Sequence, residues 1–145
     1  PEGVMTRTKP GARDRKDLAA AYEAARMIGG LDIGQAAIAV GGRAVALEGI
    51  EGTASLLDRM RDMRNHGRLA GKSGGALVKC VKPDQDERAD LPTIGPNTIE
   101  AAHAAGLAGV GLEAGRSLII DYADTIGRAD ALGLFIVGLE PGGRA

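Results

Sequence analysis

The chain has 145 residues, 44% of them apolar, and a formal net charge of −1. That is one domain's worth of sequence with one sizeable core, and it lacks the basic excess that nucleic acid or an anionic bilayer surface calls for. No Trp, one Phe and two Tyr leave no platforms for stacked bases, and a single cysteine, Cys80, excludes an internal disulfide framework and a multi-cysteine zinc site.

The lone cysteine is compatible with a reducing, cytoplasmic setting. No apolar run approaches the ~20 residues of a membrane span, and no stretch reads as a signal peptide. The 23 glycines imply many tight turns or close backbone approaches.

Residues 1–13 are rich in Pro, Gly and basic groups and read as a linker or arm. The opening without Met reads as the interior of a longer protein, one that has an N-terminal domain in addition to this chain. Asp14 to Ile28 reads as a helix, with Leu18, Ala21, Tyr22, Ala25 and Ile28 at helical spacing, Asp14 or Asp17 as cap and Gly29-Gly30 as stop. Residues 35–40 and 43–50 read as strands joined by Gly41-Gly42, a two-residue hairpin turn.

Thr53 opens a second helix with Leu56, Leu57, Met60 and Met63 on its apolar side. Residues 64–75 have no period and read as a mobile loop. Residues 76–81 form a short apolar strand, 91–94 another, and Pro96 suits the first turn of a helix over 97–105. Residues 108–113 and 116–120 read as strands separated by Ala114-Gly115. Asp121 caps a helix over 122–132, Gly133 ends it, 134–139 is a last strand, and 141–145 a frayed tail. Alternating strands and helices with one hairpin give an α/β fold: a single domain over 14–140, with a mixed sheet and helices packed on its faces.

Gly67-Arg-Leu-Ala-Gly71-Lys72-Ser73 imitates a phosphate loop. It has three residues between its glycines where the motif needs four, and a helix before it where the motif needs a strand, so it reads as an ordinary loop. Gln35, after Asp32-Ile-Gly, either begins a surface strand or points a neutral amide at a ligand. Gly52-Thr53 opens a helix whose free amides and dipole suit a phosphate, with Thr53 either as plain cap or as hydroxyl donor and Glu51 beside it.

Lys79 and Lys82 flank Cys80 and Val81. Alternation puts Lys79 and Val81 on one face and Cys80 on the other. A lysine inside an apolar strand needs a partner or a ligand, unless the strand is an edge guarded against aggregation. Cys80 reads as a small core residue.

Between Lys79 and Asn97, three prolines stiffen a stretch holding Asp84, Asp86, Glu87 and Asp90. Such acids suit a hard divalent cation such as Mg²⁺, or the positioning of water; the plain alternative is a solvated loop with Arg88 in an ion pair. Asp90, just before Leu91-Pro92 re-enters the core, is the acid best placed for chemistry. His66 and His103 have no metal-ligand spacing.

Taken in order, Asp32-Ile-Gly-Gln35, Glu48-Gly-Ile-Glu-Gly-Thr53, Lys79-Cys-Val-Lys-Pro83 and Arg88-Ala-Asp-Leu-Pro-Thr-Ile-Gly95 resemble the C-terminal domain of the LpxI-type UDP-2,3-diacylglucosamine pyrophosphatases. Ala105-Gly-Leu-Ala-Gly109, Glu113-Ala-Gly115 and residues 129–138 continue the likeness over nearly the whole chain. The resemblance implies a Mg²⁺-dependent hydrolase that cleaves UDP-2,3-diacylglucosamine to UMP and lipid X in lipid A synthesis, with water attacking the phosphorus nearer the sugar. It implies Asp90 as the catalytic acid and tentative metal ligand, and Gln35, Gly52, Thr53, Lys79, Lys82, Leu91, Thr93, Ile94 and Gly95 around the substrate. The family holds its ligand between two domains, so a chain without the N-terminal one is expected to carry half a site and to be inactive alone. A peripheral seat at the inner membrane and a homodimer stay open. The competing reading is a non-catalytic domain of the same fold that binds a nucleotide sugar or lipid, or serves assembly.

Overall fold

The structure is a computed structural model that describes residues 3–64, 66, 69, 72–82, 91–140 and 142–145. Its elements in chain order are β1 (Gly3–Val4), α1 (Ala12–Gly30), β2 (Ala36–Val40), β3 (Arg43–Leu47), α2 (Thr53–Met63), β4 (Ala76–Lys79), β5 (Thr93–Ile94), α3 (Pro96–Ala104), β6 (Gly109–Glu113), β7 (Leu118–Ile119), α4 (Tyr122–Leu132) and β8 (Phe135–Leu139). Six strands form one mixed sheet in the order β1-β8-β6-β4-β2-β3, and β5 and β7 pair in a separate two-stranded sheet.

Strand alternation divides the core in two. Ile38, Leu77, Val110 and Ile136 face Leu56, Met60, Ile99 and Ala129 of α2, α3 and α4. Ala37, Ala39, Val78, Phe135 and Val137 face Leu18, Ala21 and Ala25 of α1. The small residues on the second face let α1 lie close to the sheet. A Cβ on Gly111 would come within 2.8 Å of Leu18 Cδ2.

The β2–β3 hairpin turns at Gly41 and Gly42, with φ of 65° and 79°, the pair of positive angles a two-residue turn of this kind requires. The Gly42 N–H donates to Asp17 Oδ1 at 2.6 Å, pinning the turn to α1. Asp17 is therefore no cap. It is buried, and desolvation pushes its carboxyl above the ordinary value while the Gly42 bond pulls it back. The helix starts two residues earlier than the sequence suggests, where the Gly11 N–H donates to Asp14 Oδ2 at 2.8 Å.

Two further expectations are corrected. The linker over 1–13 contributes an edge strand: Gly3 and Val4 pair antiparallel with Gly138 and Val137, and the Met5 N–H bonds to Ile136 O at 2.9 Å. Asp121 occupies the N-cap position of α4, but in a left-handed conformation (φ 49°) and with no side-chain cap bond. Thr125 ties that turn instead, its hydroxyl donating to Ile120 O at 2.6 Å. Among the described residues no helix is long and apolar enough to cross a membrane.

Candidate functional site

Strands β3 and β4 both run antiparallel to β2, and β4, β6 and β8 run parallel to one another. The carboxyl ends of β3, β4, β6 and β8 therefore share one edge of the sheet, with the start of β2 beside them. In an open α/β sheet this is the edge where ligands bind. It brings Gln35, Glu48, Lys79 and Glu113 to the same rim, and α2 begins immediately above it.

Glu48 sits at its centre. It is 8% exposed. Its Oε1 accepts the Gln35 backbone N–H at 2.8 Å and its Oε2 accepts the Thr53 hydroxyl at 2.6 Å. Gly34 makes room for it, since a Cβ there would lie 2.3 Å from the Glu48 carbonyl oxygen. Gly52 is the N-cap of α2 at φ 87°, and among the described residues nothing beyond its chain neighbours lies within 4 Å of where a Cβ would stand. Thr53 is thus the first residue inside the helix, and its side chain holds Glu48 instead of capping.

Lys79 is Cα partner to Ala36 across β2–β4 and is 9% exposed. Its Nζ donates to Thr93 O at 2.8 Å, clasping β5 to the end of β4. Burial pushes its ammonium below the ordinary lysine pKa of 10.5, and the Glu48 carboxylate partly restores it. The next residue, Cys80, faces the α1 side, as alternation requires. Its N–H donates to Gln35 O at 2.8 Å, and burial, then the Glu113 charge, push its thiol far above the ordinary range. Cys80 should accordingly show no reaction with Ellman's reagent at pH 8 in the native chain and full reaction in denaturant. Rapid native labelling would contradict its burial.

Glu113 plays at β6 the part Glu48 plays at β3. It is buried, and its Oε1 accepts the Val81 N–H at 2.9 Å, fixing the path of the chain as it leaves β4. Lys82 reaches back to Asp32, with Nζ 3.1 Å from Oδ1. Leu91 is half-buried, and its carbonyl accepts the Thr93 hydroxyl at 3.0 Å. Ile94 is different: it is 1% exposed and belongs to the core, and its carbonyl accepts the Ile120 N–H at 2.8 Å, so it does not line the open rim. The Gly95 N–H donates to Thr98 Oγ1 at 3.2 Å at the start of α3.

Gln35, Gly52, Thr53, Lys79 and Thr93 thus join one connected arrangement around Glu48 and Lys79. Asp90, with Asp84, Asp86, Glu87 and Arg88, lies outside the described residues. Glu48 is the member that sequence patterning did not single out. Its signal was an acid ending an apolar strand, five residues before Thr53. Among the described residues no three His, Cys, Asp or Glu side chains gather as for a metal ion, and both Glu48 oxygens are already engaged by protein donors. The described residues do not by themselves form a divalent-cation site.

Residues 1–137 match the family described as LpxI C-terminal domain. The chain is 44% identical over 143 residues to the UDP-2,3-diacylglucosamine pyrophosphatase LpxI of Caulobacter vibrioides, an alignment covering 97% of this chain and 51% of that relative. The chain spans about half the length of the curated relative it matches.

Proposed function

The chain belongs to the LpxI family, and on that premise we propose that it is the C-terminal domain of a hydrolase that splits the pyrophosphate of UDP-2,3-diacylglucosamine, in lipid A synthesis. Water adds to the phosphorus nearer the sugar, the bridging oxygen departs with UMP, and the sugar keeps the new phosphate oxygen as lipid X. The observation that carries this reading is the 44% identity to a protein of that name, over an alignment that covers 97% of this chain.

Lys79 supplies positive charge where phosphate charge accumulates, in a site where burial strengthens it. Gln35, Gly52 and Thr53 bind and orient the ligand at the mouth of α2, and Lys82, Leu91, Thr93 and Gly95 shape the neighbouring wall, which the buried Ile94 supports from the core. Asp90 positions water or holds Mg²⁺. The ion would neutralise pyrophosphate charge when bound. The other wall of the site belongs to the N-terminal half that the relative possesses, so this chain alone should be inactive.

The test is UMP release by the full-length protein containing this chain, with and without chelator and with Asp90→Ala. Turnover should require added Mg²⁺ and fall at least ~10³-fold in Asp90→Ala, in the range seen when a catalytic residue is removed. Near-normal turnover in Asp90→Ala would remove the assigned catalytic acid. Absence of turnover in the wild type would favour a binding or assembly domain.

A further inference from the structure

We propose that Glu48 fixes the polarity of the Thr53 hydroxyl, so that Thr53 meets the ligand only as a hydrogen-bond acceptor and reads a hydroxyl or N–H of the substrate, not a phosphate oxygen. The inference rests on the pyrophosphatase reading above and concerns which part of that substrate Thr53 recognises. A threonine at a helix start beside a phosphate-binding candidate would ordinarily be assigned as a donor to the phosphate. The geometry here argues otherwise.

A carboxylate has no hydrogen to give, and a threonine has one. In the contact between Thr53 Oγ1 and Glu48 Oε2, at 2.6 Å, the hydrogen therefore belongs to Thr53 and points at Glu48. The distance is that of a charge-assisted O–H···O⁻ bond.

Glu48 cannot readily turn away. It is 8% exposed, its other oxygen is bonded to the Gln35 N–H, and its backbone is packed against Gly34. What remains on Oγ1 is acceptor capacity, beside Gly52, where no described residue beyond the chain neighbours crowds the backbone. A phosphate oxygen placed there would meet lone pairs and, just behind them, the Glu48 charge. A ribose or glucosamine hydroxyl, or the uracil imide N–H, would meet an acceptor made stronger by its own bond to a carboxylate. Phosphate is left to Lys79.

Glu48→Gln inverts this polarity at nearly constant shape. The oxygen of the introduced amide keeps the Gln35 N–H, so the amide NH₂ faces Thr53 Oγ1 and the hydroxyl hydrogen is released outward. The experiment measures inhibition of UMP release, in the full-length protein containing this chain, by two sets of product analogues. One set is UMP and its 2′-deoxy, 3′-deoxy and N3-methyl forms; the other is lipid X and its 4-deoxy and 6-deoxy forms.

In the wild type, one analogue should inhibit about 10-fold to 100-fold more weakly than its parent, and its identity names the group Thr53 reads. That discrimination should fall below about 3-fold in both Glu48→Gln and Thr53→Val and persist in Thr53→Ser. Should Glu48→Gln not fold, Thr53→Val carries the same comparison. Discrimination unchanged in the variants, or absent from the wild type, overturns the inference alone. A wild type that releases no UMP overturns the pyrophosphatase reading and the inference with it.

Discussion

Lys79→Met in the full-length protein should cut kcat/KM for UMP release by at least about 100-fold, the scale of losing one charge-stabilising donor from a buried site. The fold should survive. Methionine matches the stem of lysine in length and flexibility. The lost bond to the Thr93 carbonyl is offset by release from burying an ammonium that burial already disfavours. The expected change in Tm is within about 4 °C, and a variant with near-normal kcat/KM would show that Lys79 only clasps β5.

The same burial gives a pH signature. Because the Lys79 pKa is held below 10.5, its charge, and with it kcat/KM, should be lost on an alkaline limb that starts below the ordinary lysine range. Lys79→Arg, whatever its residual rate, should lack that limb, since arginine does not deprotonate there. For stability the sign is opposite. A depressed pKa means that the fold binds the proton less tightly than the unfolded chain does. The contribution of Lys79 is therefore fully present only above 10.5 and is lost as pH falls through its folded value.

Gly34→Ala is expected to damage both fold and site. Its new Cβ would stand 2.3 Å from the Glu48 carbonyl oxygen and 2.9 Å from its carbonyl carbon. These are backbone atoms and cannot step aside as a side-chain tip could, so β2 and the chain leaving β3 must separate. Overpacking of this kind costs on the order of 2–3 kcal/mol, which for a chain of this size is roughly 5–10 °C in Tm. Activity should fall further than stability alone explains, because the bonds from Gln35 and Thr53 to Glu48 lengthen as well. An alanine variant with unchanged Tm and turnover would mean that the two strands do not meet as described. Gly52→Ala makes a useful contrast: among the described residues nothing beyond its chain neighbours crowds it, and its cost comes from the backbone angle of 87°.

The sequence disclosed those elements whose pattern is long enough to have a period. The strands β2, β6 and β8, the helices α2 and α4, and the glycine hairpin were legible from alternation, helical spacing and turn chemistry. So was the side of β4 on which Lys79 lies. The two-residue β1 was not, although β5 and β7 lie within the strands read over 91–94 and 116–120. Gly3–Val4 carries no pattern, and nothing local says that it pairs with a strand more than 130 positions later. The partners of β5 and β7 were equally hidden, since a short apolar pair does not name its neighbour. Gln35, Thr53 and Lys79 were picked out one at a time as polar groups in unusual company. The residue that unites them was passed over because an acid at a strand end ordinarily faces water. Its burial depends on Gly34 and on the start of α2, both brought to it only by the tertiary fold.

The pairing of β1 with β8 also governs when the domain can be finished during synthesis. Gly3, Val4 and Met5 have their place beside a strand made more than 130 residues later, and among the described residues their backbone pairs with Ile136, Val137 and Gly138. A ribosome must therefore deliver the segment through Gly138 before this edge of the sheet can close. Until then the exposed side of the growing sheet is an unpaired strand edge, the kind of surface on which nascent chains meet chaperones or one another. A polypeptide preceding Gly3 would be held near its point of attachment only at that last moment, so any surface it presents to the β3–β4 rim would be the final one to assemble.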